Sequence, residues 1–491
     1  RPRQKAYAKR SRTGCRTCRV RRVKCDELPN ACGNCTRTGR ICDGYDVQRL
    51  PPRRVPGEGR GEAVARPAAD SAFATIHAAI ITKLQWKMTS DEGRCLSFFQ
   101  HRSVPQLVGF FDSPLWQRLI LQLCHADPAV YHAVVALGAV NQANEIAGRI
   151  PRPGERTILQ NTQGLQNTWY RYAMEQSGRS IALVNKRRIS RDPQLQQVIL
   201  VCCILFITSE LLCGNVTVAN FHLRGGLRII QTMNIRRRPL GLELSTGAVE
   251  ECVMDSFLGF QQGSLYYGNE EVVRFDSEFI HEQPYENYLD HFHSLAHARQ
   301  TWKPLEHTAF EFIAIGMKAS DDELDAKYAT LYLQQHRLIS LVTKYLHQFE
   351  HFCRTAYGTT SFTMPITTKH QVRRKEYREA ELTRISCLSV LLGVRTATYN
   401  KTGPPPDGHI AERWALLSAV ETAMRNLGAD CPTFTATSTM IPAMYMAAHS
   451  SPDYALPCHA IELLRSWRSE EGFMRSALSA NLLEEFLKKD L

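Results

Sequence analysis

The sequence predicts two unlike folding units joined by a flexible linker. One is a small N-terminal module held by a metal staple instead of a core, and the other is a large all-α domain. Three observations carry this expectation. Six of the chain's 16 cysteines crowd into residues 15–42, prolines and glycines interrupt residues 46–70, and from about residue 90 apolar residues recur at helical spacing. A chain of 491 residues has room for one large domain and a small one. With 44% apolar and 22% charged residues, wholesale disorder is excluded.

Charge divides the chain in the same place. Residues 1–60 carry 17 Lys/Arg against 5 Asp/Glu, which is the whole of the formal +12, and the remainder holds 43 of each sign. A neutral body behind a basic head points to a polyanion met by the N-terminus alone. The opening RPRQKAYAKRSR has no apolar stretch behind its charges, so it is not a secretory signal. The basic run Lys5–Arg12 reads as a nuclear import signal or as a solvated tail. The chain begins at Arg1 and not at Met, which leaves its natural start open. The longest apolar run, Val198 to Ile207, is half of what a membrane span needs, so a buried helix and no membrane partner are expected.

Cys15, Cys18 and Cys25 form C-x2-C-x6-C, and Cys32, Cys35 and Cys42 repeat the same unit six residues later. Two residues between thiolates let both sulfurs face one metal, and six more suffice for a helical turn or two before a third ligand. Each half is then one thiolate short of a tetrahedral set. Two zinc ions are both completed if the first cysteines, Cys15 and Cys32, bridge them. Disulfides would suit a small secreted domain, but no signal segment is present and the other ten cysteines lie unpatterned downstream. So short and polar a stretch needs the folding energy that a structural zinc site supplies, about 10–16 kcal/mol apparent. Sites closed by thiolates leave no open position, so the zinc is structural and not catalytic.

The stretch GCRTCRVRRVKCDELPNACGNCTRTGRICDGY resembles the six-cysteine binuclear zinc cluster of fungal transcription factors. All six ligand positions match, as do the basic run after the second cysteine and the CDE and C-x-G-Y flanks. Pro29 departs, standing three residues before Cys32 where the family places its loop proline two before. The resemblance implies two structural Zn2+, one held by Cys15, Cys18, Cys25 and Cys32 and the other by Cys32, Cys35, Cys42 and Cys15.

The halves differ in charge. Arg16, Arg19, Arg21, Arg22 and Lys24 lie between Cys15 and Cys25, whereas only Arg37 and Arg40 lie between Cys35 and Cys42. The first half is therefore the face expected to meet double-stranded DNA, with a short helix starting near Arg16 in the major groove. Arg and Lys match the O6 and N7 acceptors of guanine, so the target is expected to be G/C-rich. The resemblance implies CGG-type triplets, with Arg21 and Arg22 in the family's base-reading positions. Arg16, Arg19 and Lys24 are then phosphate contacts, which position the module without specifying sequence.

The module is assigned to residues 13–45, the Pro/Gly/Arg-rich linker to 46–90 and the helical domain to 91–491. Pro51, Pro52, Pro56 and Pro67 with Gly57, Gly59 and Gly61 exclude a continuous helix in the linker, and no heptad coiled coil follows the cysteines. The protein therefore reads DNA as a monomer or forms a homodimer through its helical domain. Asp127-Pro128 marks a helix start, followed by Val130, Val134 and Leu137 on one face. Residues 196–213 are apolar on all sides and belong in the centre of a bundle. Amphipathic helices are expected over 323–349, 375–399, 411–427 and 472–489, the acidic run Asp321-Asp322-Glu323 opening one of them. More than ten helices follow from this pattern. Segments 109–140, 198–230 and 292–299 resemble the helical regulatory domain that accompanies this type of zinc cluster, which implies an all-α regulatory domain over most of 91–491.

No G-x-S-x-G elbow, P-loop or H-E-x-x-H is present, so an enzyme is not expected. His291, His293 and His297 form the best alternative cluster, the last two expected to share a helix face at i, i+4 with no third ligand placed by the sequence, and Cys202-Cys203 read as inert core thiols. The function expected is a nuclear, zinc-dependent, sequence-specific regulator of genes transcribed by RNA polymerase II. Two other readings stand beside it: a metabolite sensor whose helical domain takes a small-molecule effector, and a zinc module used for protein interaction without DNA specificity. Activation and repression are not distinguished.

Overall fold

The computed structural model describes residues 15, 17–18, 21, 23–26, 32–40 and 42 of the N-terminal module. Beyond it, residues 86, 88–147, 168–188, 190, 192, 194–233, 248–265, 280, 285–357, 368–399, 409–428, 431–467 and 469–489 are described. The glycines and prolines of the linker, 51–67, lie outside these residues. The large domain is mostly helical, as the periodicity predicts.

In the module, helix α1 spans Gly33–Thr36. The helical domain opens with α2 (Ser90–Phe98), whose N-terminus is closed by a reciprocal capping box between Thr89 and Glu92. The buried Glu92 carboxylate also accepts from Tyr131 Oη at 3.4 Å and from Arg179 Nη1 at 3.4 Å. It thereby ties α2 to the helices that carry those residues. Short α3 (Val104–Leu107) and α4 (Ile120–Ala126) lead to α5 (Pro128–Ala147), the middle of the first core. Asp127 Oδ1 accepts from the Ala129 N–H at 2.8 Å, so the Asp-Pro start behaves as expected. Val130, Val134 and Leu137 are wholly buried, about 1.5–3 kcal/mol of burial each. At Gly138 a Cβ would lie 2.3 Å from the Cys95 carbonyl oxygen, so α2 and α5 touch backbone to backbone.

Helices α6 (Thr168–Lys186), α7 (Leu195–Cys213), α8 (Val216–Met233) and α9 (Ala248–Ser264) complete this core. By length and composition α7 would pass for a membrane span, but residues around its whole circumference pack inside the domain. Cys202 and Cys203 lie within it, and burial pushes both thiols up to about 12, as befits core cysteines.

The second core is built by α10 (Leu295–Lys318), α11 (Asp321–Ala326), α12 (Tyr328–Tyr357) and α13 (Thr368–Thr396) around Trp302, Tyr345 and Phe349. The acidic run does start a helix, α11, with a capping box between Ser320 and Glu323. The single helix expected over 323–349 is instead broken: α11 ends at Ala326 and α12 begins at Tyr328, with Lys327 between them off helical geometry (φ −106°, ψ 7°).

The third core surrounds α15 (Met440–Ala448), packed by α14 (Ile410–Leu427), α16 (Ala455–Ser466) and α17 (Ser476–Lys489). The helix expected over 472–489 starts only at Ser476. Its first residues belong to a hairpin of β2 (Glu470–Glu471) and β3 (Met474–Arg475), turned by Gly472 at φ +55°. β1 (Phe434–Thr435) pairs with β2 in parallel. Strands of two residues have no period to read, which is why the sequence pattern passes over them.

Helix α15 is held at both ends by buried charges from elsewhere in the chain. At its N-terminus Glu471 accepts from the backbone N–H groups of Thr439 (2.6 Å), Met440 (2.9 Å) and Ile441 (3.3 Å). At the other end the Arg413 guanidinium donates to the carbonyls of Ala447 (2.9 Å) and His449 (2.8 Å). A carboxylate at the positive end and a guanidinium at the negative end complement the helix dipole. Burial raises the Glu471 carboxyl to about 7, against the hydrogen bonds that lower it. Burial likewise raises Glu470 to about 7, against Arg475. Both groups thus bind protons more firmly folded than unfolded between about pH 4.5 and pH 7, so their contribution to stability falls as pH rises through that window. Glu470→Gln removes one of them. Its stability relative to the native chain is expected to rise between about pH 5 and pH 8 in urea denaturation, and a constant difference would contradict the sign.

Candidate metal centre and nucleic-acid interface

The six cysteines converge on one small cluster, with five of the six buried. The repeat in the sequence is a repeat in space, with an offset of 17 residues. In each half the second cysteine's N–H donates to the first cysteine's sulfur: Cys18 N to Cys15 Sγ and Cys35 N to Cys32 Sγ, both 3.3 Å. In each half the first cysteine's N–H donates to the third sulfur: Cys15 N to Cys25 Sγ and Cys32 N to Cys42 Sγ, again 3.3 Å. The turns after the second cysteines match too, with Val23 N to Cys18 O and Arg40 N to Cys35 O at 3.0 Å. These N–H donors lower the electron density on the sulfurs and fix their directions, as is needed of orienting groups around a metal.

The halves meet through their lead sulfurs. Cys15 Sγ lies 3.5 Å from Cys32 Sγ and 3.8 Å from Cys35 Sγ, and Cys32 Sγ lies 3.5 Å from Cys18 Sγ. A disulfide would need about 2.05 Å. The edge of a zinc–thiolate tetrahedron with bonds of about 2.3 Å is about 3.8 Å. The sulfurs are therefore spaced as metal ligands and not as disulfide partners. Cys15, Cys18, Cys32 and Cys35 have their sulfurs all within 4.8 Å of one another. Burial, then contact with the Cys35 thiol, pushes the Cys32 thiol up to about 12. Thiols packed this way carry charge only against a cation.

Polar contacts outside the sulfurs lock one half on the other. Asp26 Oδ1 accepts from the Gly33 N–H at 3.0 Å, and Asn34 Nδ2 donates to the Lys24 carbonyl. Sequence reasoning noted Asp26 only as part of the CDE flank and passed over Asn34; neither contact was foreseen. The signal in each case is a short polar side chain directly after a ligand or two residues beyond one. Arg21 Nη1 donates to Thr38 Oγ1 at 3.4 Å, and these two positions are equivalent under the 17-residue repeat. Arg21 is half-buried and Lys24 exposed, whereas Arg16, Arg19 and Arg22 lie outside the described residues.

His293 and His297 stack with ring centroids 5.3 Å apart, but only His297 is helical. Ser294, between them, is the N-cap of α10, so the shared helix face expected for the pair is not formed. Burial, then His293, lowers His297. Among the described residues, the groups able to hold a metal are the cysteines and Asp26 beside Cys25 and Cys32.

Residues 13–51 match the family model of the fungal Zn(2)-Cys(6) binuclear cluster domain, and residues 94–254 match that of the fungal specific transcription factor domain. The chain is 30% identical over 233 residues to the aspercryptin biosynthesis cluster-specific transcription regulator of Emericella nidulans, covering 46% of this chain and 36% of that protein. It is 26% identical over 228 residues to a transcription regulator of Purpureocillium lilacinum, covering 44% and 48%. White-opaque regulator 2 of Candida albicans is 55% identical over 47 residues, covering 9% of this chain and 10% of that protein. The matches thus span less than half the length of each of these curated relatives. No solved structure matches. The chain thus carries a fungal Zn(2)-Cys(6) binuclear cluster domain followed by a fungal specific transcription factor domain, and the relatives it resembles over most length are named as fungal transcription regulators.

Proposed function

We propose that the chain is a nuclear, zinc-dependent, sequence-specific DNA-binding regulator of genes transcribed by RNA polymerase II. The observation that carries this reading is the crossed sulfur arrangement, in which each lead cysteine lies near the other half's second cysteine as well as its own. A bridging ligand needs that position. Cys15 and Cys32 are then shared between two Zn2+, with Cys18 and Cys25 completing one set and Cys35 and Cys42 the other. The zinc ions neutralise the thiolates and hold the two halves together, and the chemistry of transcription control lies elsewhere in the chain. No catalytic role is assigned.

The ligand sets fix a metal count. The full chain is expected to carry two zinc ions by elemental mass spectrometry. Cys42→Ala keeps one, and Cys32→Ala, which removes a bridge, keeps neither. Two zinc ions in Cys32→Ala would remove the bridging assignment.

DNA recognition is assigned to the first half, where the basic residues concentrate. Arg21 and Arg22 read CGG-type triplets, while Arg16, Arg19 and Lys24 contact phosphates. Selection from a random duplex library by the full chain is expected to enrich such triplets, and a zinc chelator is expected to abolish the enrichment. Paired triplets at fixed spacing support a homodimer formed through the helical domain, and a single triplet supports a monomeric reader. Arg22→Ala is expected to lose triplet preference, a change of about 1–3 kcal/mol, while retaining general affinity. Equal affinity for scrambled and G/C-triplet duplexes at physiological salt would instead favour a protein-interaction module.

A second reading, that the helical domain takes a small-molecule effector, is favoured by one feature. Between α10 and α12 lies a cavity of about 240 Å³, lined by Phe312, Ile315, Leu338 and Leu341 together with Glu311 and Arg337. Apolar walls with a few charged groups suit a small amphipathic ligand. Thermal stabilisation by a candidate metabolite, lost when Leu341→Trp fills the space, is the expected sign. Equal stabilisation of the variant would place the effector elsewhere.

A further inference from the structure

The connection between α6 and α7 holds a serine in an unusual setting. The chain has Arg-Arg pairs at 21–22, 53–54, 187–188, 236–238 and 373–374, and only Arg187-Arg188 is followed two residues on by a hydroxyl, that of Ser190. Two guanidinium groups three and two residues before a serine fit the acidic groove of a basophilic protein kinase. Ser190 and Arg188 are both exposed. The turn is closed by the Ser190 N–H donating to the Arg187 carbonyl at 2.8 Å, one bond at an exposed loop, where local opening is cheap.

The same turn is an electrostatic joint. Arg187 reaches Asp127 with Nη1 and Asp192 with Nη2. Asp127 caps α5 through its other oxygen, and Asp192 Oδ1 accepts from the Gln194 N–H at 2.9 Å beside the start of α7. One guanidinium thus joins the end of α6 to the starts of α5 and α7. Ser190 is part of this joint, since its Oγ accepts from the Asp192 N–H at 3.1 Å.

We infer that Ser190 is a phosphorylation site for a basophilic serine/threonine kinase, and that its phosphate takes Arg187 from the two aspartates. In the transfer, Ser190 Oγ bonds to the γ-phosphorus of ATP as the bond to ADP breaks, and the hydroxyl proton passes to the kinase. The product carries a charge of about −1.5 to −2 with three acceptor oxygens. It stands next to Asp192, which it repels, and within the turn of Arg187, which it attracts. Losing Arg187 leaves the Asp127 carboxylate without its cation at the start of α5, so the modification loosens the α5–α6–α7 joint. A cellular kinase could in this way alter the helical domain without touching the cysteine cluster.

The test uses the full zinc-loaded chain, the purified catalytic subunit of a basophilic kinase, and Mg-ATP. Phosphate is expected on the Ser190 peptide by mass spectrometry and absent from Ser190→Ala. Among the described residues the exposed Arg188 enters the joint only through its backbone N–H, which donates to the Asn185 carbonyl at 3.2 Å, so Arg188→Ala is expected to keep the native melting midpoint while lowering kcat/KM for Ser190 at least tenfold. Labelling that spares the Ser190 peptide, or an unchanged rate in Arg188→Ala, overturns the site. The fully phosphorylated chain is expected to melt a few degrees lower than the unmodified one. An unchanged midpoint at full occupancy overturns the capture of Arg187.

Discussion

The contact between Cys15 Sγ and Cys32 Sγ, at 3.5 Å, is the constraint from which the N-terminal module follows. Among the described residues, a module this small has no hydrophobic core beyond its own cysteines. Its two halves meet at these lead sulfurs. About that contact the 17-residue repeat becomes a twofold relation, and equivalent residues such as Arg21 and Thr38 face each other across it. Charge then makes the halves unequal. In sequence one half keeps five basic residues and the other two, so a repeated scaffold carries its positive charge in one half.

The helical domain solves its corresponding problem with long-range polar contacts placed inside apolar cores. Glu92 joins α2 to α5 and α6, and Glu471 and Arg413 close the two ends of α15. Each buried charge meets backbone ends or several donors, which is the condition under which such burial is tolerated. Their partners are distant in sequence: Arg413 reaches carbonyls more than thirty residues on, and Arg475 reaches the Leu211 carbonyl across 264 residues. These contacts fix which helices are neighbours, a matter on which apolar packing alone is permissive.

What was legible in the sequence follows the same division. The six cysteines could be read because metal ligation is a local chemistry with fixed spacings, and the relation between halves was written as a repeat. The helices around Val130, Leu137 and the 196–213 stretch could be read because burial on a helix has a period. The helix starts at Asp127 and at the acidic run 321–323 were legible for the same local reason. Three kinds of feature were not. The break at Lys327 interrupts an otherwise continuous amphipathic pattern with no proline or glycine to mark it. The strands at 434–435, 470–471 and 474–475 are too short to alternate visibly. Arg413 and Glu471 look like surface residues until the partners that satisfy them are known, and those partners are set by the tertiary fold.

The two units also differ in what can disturb them. The sulfur–sulfur contacts of 3.5–3.8 Å that join the two halves close within 20 residues of sequence, so the module answers chiefly to metal and thiol chemistry. The helical domain answers to ionisation and charge at particular joints, because single side chains such as Glu471 and Arg187 each serve several backbone ends or carboxylates at once. A group serving many partners cannot be replaced by a small rearrangement, so a change in its charge reaches whole helices. Control of such a protein is therefore best placed on the helical domain, where one added or removed charge has leverage. The cluster, closed around its metal, offers only an intact or a dismantled state.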